Sequence, residues 1–162
     1  MRAYVGVGSN LGERWDNLAL AARELRAAPG VSLLRASRVH DTEALGPKQP
    51  RYLNAVLELE TTLKADLLLA LLLQIEDTAH RRREVRWGAR TLDLDLLLYE
   101  DLVLRTPALT LPHPGLLSRR FVLAPLAELC PERIVPGTGS TVAELLRFVP
   151  AHDMSSAGIY PV

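Results

Sequence analysis

Apolar and polar side chains alternate through residues 52–60. Leu53, Ala55, Leu57 and Leu59 fall on one side, and Tyr52, Asn54, Val56, Glu58 and Glu60 on the other, which predicts a β-strand with one buried face. Residues 92–99 repeat the pattern with a less usual choice of residues. Leu92, Leu94, Leu96 and Leu98 share one face, while Asp93, Asp95, Leu97 and Tyr99 share the other. Residues 3–8 read as a further strand with Gly6 and Gly8 on one face, and 31–41 as another with blurred alternation. Leu11, Trp15, Leu18, Ala22 and Leu25 recur at helical spacing. Asn10 is the expected N-cap of that helix, with Glu13 completing a capping box, and Pro29-Gly30 ends it. A leucine-rich helix follows over 64–80, and short helices over 121–129 and 142–148, the last capped by Thr141 with Glu144. Residues 43–51 and 81–91 read as loops, and 102–104 as a short extra strand. The tail beyond Pro150 has no periodicity and is expected to be loosely held.

The long elements run strand, helix, strand, strand, helix, strand. That is the split βαβ order of a ferredoxin-like α+β fold, here a single domain over 1–162. Both long helices then cover one face of an antiparallel sheet and leave the other open. Asp93, Asp95, Asn54 and Tyr52 lie opposite the leucine faces, so all belong to the open side, where Gly6 and Gly8 leave room.

Composition narrows the class. A chain of 162 residues suits one domain with an adequate core. The formal net charge is zero, which does not favour a nucleic-acid partner. No apolar run approaches the roughly 20 residues that cross a bilayer. The first residues lack the apolar run of a signal peptide, and a lone Cys130 suits a reducing compartment, so a cytoplasmic location is expected. The charges are nonetheless uneven, because Arg81, Arg82, Arg83, Arg86 and Arg90 crowd into one stretch.

Aspartates at i and i+2 of a strand stand about 6.6–6.8 Å apart at Cα, near enough to share one divalent cation or hold two adjacent ones. Hard cations such as Mg²⁺ take carboxylate oxygen and keep waters and phosphates as their other ligands. An isolated pair of this kind is often only a solvated surface feature, and an arginine run only a solvated helix end. Acids for metal beside planar guanidinium forks for phosphate, however, is the layout phosphoryl transfer requires. No P-loop motif exists, and the glycines of GVGSNLG are spaced wrongly for G-x-G-x-x-G, so they serve the strand-to-helix turn. His113 stands stiffly between two prolines. Asn54 can read the edge of a planar heterocycle, and Tyr52 and Phe121 can stack on its faces, although core packing accounts for such aromatics equally well. Two other readings share these features. One is a metal-dependent nucleotidyltransferase on a palm-like sheet. The other is a non-enzymatic RNA-binding module, which eight aromatics and two open-face carboxylates support poorly.

Four segments together, VGVGSNLGERWDNL, LGPKQPRYLNAVLELET, RWGARTLDLDLLLY and LTLPHPGLLSRRFVLAPLAELCPE, resemble the 6-hydroxymethyl-7,8-dihydropterin pyrophosphokinases of folate biosynthesis. The resemblance runs from about residue 3 to residue 147. It implies a ferredoxin-like enzyme, expected to be a monomer. Such an enzyme moves pyrophosphate from ATP to the pterin hydroxymethyl group and releases AMP, with no nucleic-acid or membrane partner. It implies that Asp93 and Asp95 hold two Mg²⁺ ions, with Arg81 and Arg90 near the transferred phosphates. Arg83 and Arg119, with Gln74, Glu76, Trp87, Leu96, Thr110 and His113, would contact ATP. Thr42, Leu45, Tyr52, Asn54 and Phe121 would form the pterin pocket, and the loops at 43–51 and 80–91 would close over the substrates. The chain departs from the family pattern at His80, Ala89 and Ala108, where glycine, proline and, in some members, arginine are usual. These changes bear on loop closure and nucleotide affinity and remove no metal ligand.

Overall fold

The computed structural model describes residues 1–83 and 92–161, with the backbone alone for 81–83. The first half runs β1 (Arg2–Ser9), α1 (Arg14–Ala27), β2 (Val31–Ala36), β3 (Val39–Thr42), β4 (Tyr52–Thr61) and α2 (Ala65–Arg83). The second runs β5 (Asp93–Tyr99), β6 (Leu104–Arg105), β7 (Thr110–Leu111), a 3₁₀ turn at Pro114–Leu117, α3 (Arg120–Leu129), α4 (Val142–Phe148) and β8 (Met154–Gly158). The main sheet is ordered β5-β1-β4-β3-β8, with β2 also on β4, and its neighbours pair antiparallel. This is the expected ferredoxin-like arrangement, in which β1 and β4 form the centre.

One face of the sheet packs on α1 and α2. Val5 and Val7 of β1, Leu53, Ala55, Leu57 and Leu59 of β4, and Leu94 and Leu96 of β5 meet Leu18, Leu25, Leu68 and Leu72 of the helices. Each fully buried leucine contributes on the order of 1.5–3 kcal/mol, so this layer dominates stability. The opposite face is only partly open. Tyr4, Val56, Leu97 and Leu98 form a second core with Leu123, Leu126 and Leu129 of α3 and Val142 of α4. Bare sheet is left at the Gly6, Gly8, Asp93 and Asp95 end.

The strand pattern of 92–99 holds as far as Leu97. A bulge where Tyr4 pairs Leu98 but Val5 pairs Leu96 inserts Leu97 as an extra residue. Parity then reverses: Leu98 joins the α3 side, and Tyr99 joins the α1–α2 side, where its hydroxyl donates to the Leu63 carbonyl at 2.7 Å.

The segment 31–41 is two strands. Ser37 breaks it by bonding Val56 twice, its amide donating to the Val56 carbonyl and its hydroxyl accepting the Val56 amide, both at 2.8 Å. Asn10 does not cap α1. Gly12, with φ 68°, turns the chain there, the helix starts at Arg14, and the N-cap position is Glu13 without a side-chain cap. Thr141 and Glu144 form the expected capping box, each bond 3.1 Å. The short strand expected over 102–104 lies instead at Leu104–Arg105, overlapping the expected span only at Leu104, and pairs with β7. The tail, expected to be loosely held, carries β8, which adds to β3, and Tyr160, which is buried and donates to the Leu18 carbonyl at 2.6 Å. Among the described residues no helix is long and apolar enough to cross a membrane.

Candidate active site

The register builds the site on the bare end of the sheet. Gly8 of β1 sits between Asp93 of β5 and Asn54 of β4, and Gly6 between Asp95 and Val56. With no side chains from β1 at the Gly6–Gly8 end of this face, the carboxylates on one flank look across an open floor to Asn54 and Tyr52 on the other. The resulting cleft of about 180 Å³ is lined by Asp93, Asp95, Thr42, Asn54, Tyr52 and Phe121, among others. Leu45 and Gln49 of the 43–51 loop and His113 and Arg119 close its sides.

Each side chain has an identifiable support. The Asn54 amide donates to the buried Thr42 hydroxyl at 2.7 Å, which orients its carbonyl oxygen towards Gly8. A Cβ on Gly8 would lie 2.8 Å from that oxygen, so only glycine leaves Asn54 in place. His113 is fixed by its backbone, whose amide donates to the Leu97 carbonyl of β5 at 3.0 Å. Its Nδ1 accepts the Gly115 amide at 3.0 Å, so the proton of the neutral ring lies on Nε2, 3.7 Å from Asp95 Oδ1. Arg119 lies against Gly115, where a Cβ would sit 3.0 Å from its guanidinium. β5 is the outermost strand, and its Leu94 amide, between the two aspartates, donates to Glu76 of α2 at 2.7 Å.

A second groove of about 290 Å³ runs from Leu69, Leu73 and Glu76 of α2 past Ala108, Leu109 and Thr110. Leu96, only 2% exposed, lies along its floor. The two cavities share Asp95 and His113. The first is flanked by the Tyr52 and Phe121 rings with Asn54 and Thr42 between, the second is lined by leucines with Glu76 and Thr110, and they meet where the charged groups stand.

Of the expected residues, Thr42, Leu45, Tyr52, Asn54, Phe121, Asp93, Asp95, Arg119 and His113 come together in the first cleft, and Glu76, Leu96 and Thr110 in the second. Gln74 is exposed on α2 and lines neither. Trp87 and Arg90 lie outside the described residues, as do the side chains of Arg81 and Arg83. Sequence reasoning missed the ties on the 43–51 loop. Asn10 donates to Gln49 Oε1 at 2.9 Å, holding the turn after β1 to that loop. A polar residue preceding a glycine turn was its only signal.

Among the described residues no cluster of three or more His, Cys, Asp or Glu could hold a metal. Two carboxylates on one open floor, half-exposed at Asp95, have the oxygen donors that suit a hard cation sharing its shell with phosphate oxygens and water.

The family described as 7,8-dihydro-6-hydroxymethylpterin-pyrophosphokinase matches residues 4–131. A Synechocystis protein named 2-amino-4-hydroxy-6-hydroxymethyldihydropteridine pyrophosphokinase is 43% identical over 147 residues, covering 91% of this chain and 75% of its own. A Pseudomonas aeruginosa protein of the same name is 41% identical over 150 residues, covering 92% of each chain. In three dimensions, a Plasmodium falciparum HPPK-DHPS crystal structure superposes with a TM-score of 0.70 at 12% identity. The match covers 90% of this chain and 45% of that one, so this chain spans less than half of that structure's length and the likeness is one of fold.

Proposed function

The chain belongs to the 7,8-dihydro-6-hydroxymethylpterin-pyrophosphokinase family, and from that premise we propose how its residues serve the reaction. It is a transferase of folate biosynthesis that moves the pyrophosphoryl group of ATP to the hydroxymethyl oxygen of 6-hydroxymethyl-7,8-dihydropterin. The pterin oxygen bonds to the β-phosphorus, the bond from that phosphorus to the oxygen bridging the α-phosphate breaks, AMP leaves with the bridging oxygen, and the hydroxyl proton passes to solvent water. The observation that carries this reading is the meeting of an aromatic-flanked cleft and a leucine-lined groove at Asp95 and His113.

In this reading the first cleft takes the pterin, with Tyr52 and Phe121 against its faces, Asn54 at its edge, and Thr42 and Leu45 completing the wall. The second groove takes the adenine end of ATP along Leu96 and Thr110, with Glu76 beside it. The ATP phosphates then cross the shared corner. There the His113 Nε2 proton and the Arg119 guanidinium face developing negative charge, and fixed donors of this kind are the larger part of such catalysis. Asp93 and Asp95 would hold the Mg²⁺, two ions in our assignment, which supplies charge neutralisation for the phosphates when bound. Arg81 and Arg90 are proposed beside the transferred phosphates, and Arg83, Trp87 and Gln74 at the nucleotide, on the resemblance of their motifs alone. No nucleophilic side chain is invoked, so the transfer is direct, and positioning carries much of the acceleration. We place the protein in the cytoplasm as a monomer, since its one cysteine suits a reducing compartment.

The test is AMP release from ATP, Mg²⁺ and the reduced hydroxymethyl pterin, omitting each component in turn. AMP should form only in the complete mixture. Release of pyrophosphate in its place would indicate nucleotidyl transfer and overturn the proposal.

A further inference from the structure

We propose that the C-terminal strap is part of the pterin site, with His152 and Asp153 as positioning residues that fix both ends of the 43–51 loop. The inference rests on the reading of the first cleft as the pterin site.

The strap is a continuation of the sheet. β8 pairs with β3 in the register Ser156 to His40, Ser155 to Asp41 and Met154 to Thr42. The ladder does not stop where β3 does. The Glu43 amide donates to the Asp153 carbonyl at 2.9 Å, and the Glu43 carbonyl accepts His152 Nε2 at 2.7 Å. A carbonyl can only accept, so the His152 Nε2 carries the proton. Both backbone groups of the residue that opens the loop are therefore held by the tail.

The far end of the loop is held by the Asp153 carboxylate. Arg51 donates to both oxygens of Asp153, at 3.2 and 3.3 Å, while its Nε holds Asp41 Oδ1 at 2.5 Å. The loop between these points supplies Glu43, Ala44, Leu45 and Gln49 to the cleft. The His152 ring also packs against Phe121, with centroids 5.2 Å apart and planes at 48°. One short tail segment thus touches the loop at both ends and one proposed stacking ring, while Thr42, paired with Met154, orients Asn54.

The strap is itself well anchored, which lets it act as a fixed reference. Val149 is buried in the α3–α4 core, and Tyr160 in the α1–α2 core. The plain alternative is that His152 and Asp153 are surface groups of no consequence, since exposed ion pairs are worth little. It does not account for convergence of three separate contacts on the borders of one cleft.

Three variants test the proposal: His152→Ala, His152→Gln, which keeps a donor, and Asp153→Asn. Steady-state constants are to be measured with each substrate varied separately, alongside hydrogen exchange of the 44–49 amides in the substrate-free protein. His152→Ala should raise the pterin KM about fivefold, the scale of one lost hydrogen bond, with the ATP KM unchanged. Its loop amides should exchange faster, and His152→Gln should restore most of both. Asp153→Asn should shift the same two readouts in the same direction. An unchanged pterin KM and unchanged loop exchange would overturn the proposal. So would equal losses for both substrates with a lowered melting temperature, which indicate a merely structural strap. The exchange readout does not depend on turnover, so failure of the wild-type AMP assay would count against the proposed function and leave the strap's hold on the loop separately decided.

Discussion

Gly8 and Asn54 stand directly opposite one another in the β1–β4 pairing, and a Cβ on Gly8 would come within 2.8 Å of the Asn54 Oδ1. The atom in the way is the tip of a side chain and not backbone, so Gly8→Ala should displace the Asn54 amide and leave the sheet intact. A polar group at the pterin edge left without its partner costs about 1–3 kcal/mol of binding. The pterin KM should therefore rise by roughly tenfold or more, while the ATP KM and the melting temperature stay near wild type. Equal shifts in both KM values would argue against Asn54 as a pterin contact.

Asp95 is half-exposed, and its side chain is not part of either core. Asp95→Ala should fold normally and lose at least about 10³-fold in turnover, the scale of removing a main charge-stabilising group. Chelation of divalent ions should abolish wild-type activity, and added Mg²⁺ should restore it. Near-normal turnover by the variant would end the metal assignment.

Glu76 spans from α2 to the amide of Leu94, between the two aspartates. Glu76→Ala leaves that amide without its acceptor, at a cost of about 1–3 kcal/mol, and loosens the strand that carries Asp93 and Asp95. Glu76→Gln keeps a carbonyl acceptor and should recover most of the stability. Denaturant midpoints for the pair decide this; identical midpoints would show that the bond is idle.

A buried polar cluster lies away from the cleft and links the stability of the fold to pH. Glu58, 2% exposed, accepts the Tyr4 hydroxyl at 2.6 Å and Arg35 Nε at 2.8 Å. Burial alone would push its carboxyl up, but the Arg35 and Tyr4 bonds, with the charges of Arg35 and Arg2, hold it below the ordinary range. A carboxyl lower in the folded than in the unfolded state stabilises above its unfolded value of 4.5, and that stability is lost as pH falls through the folded value. Tyr4 behaves oppositely. Burial first, and Glu58 second, push its phenol up to about 12 from 10.0, so its contribution is complete below pH 10 and fades as pH rises towards 12. Glu58→Gln should flatten the acid limb of a stability profile, and Tyr4→Phe the alkaline limb. An acid slope that survives in Glu58→Gln would show that other carboxylates set it.

Much of the fold was legible because period and face agree in the central strands. β4 alternates as its sequence reads, and Asp93, Asp95, Asn54 and Tyr52 do share a face, since the side-chain period of a strand is a geometric fact. What was hidden depends on partners far along the chain. The bulge that turns Leu98 and Tyr99 over is decided by how Tyr4 pairs, and nothing within 92–99 records it. Asn10 has the composition of a cap, yet Gln49 and Pro50 compete for its amide. β8, MSSAG, carries no apolar alternation because it owes its place to the ladder of β3 and to the anchors on either side. The folding of α3 and α4 onto the second face was equally unreadable, because two short amphipathic helices do not announce which surface they will cover.

The margins of the main sheet also bear on how the molecule coexists with copies of itself. A strand at the border of a sheet offers free amides and carbonyls to any passing chain. Here β3 spends those groups on β8, and β5 spends the Leu94 amide on Glu76 and the Leu97 carbonyl on His113. Cutting the chain after Val149 would strip β3 and expose a ready template for intermolecular pairing. Such a shortened protein should self-associate with rising concentration, even if its catalytic groups were all present.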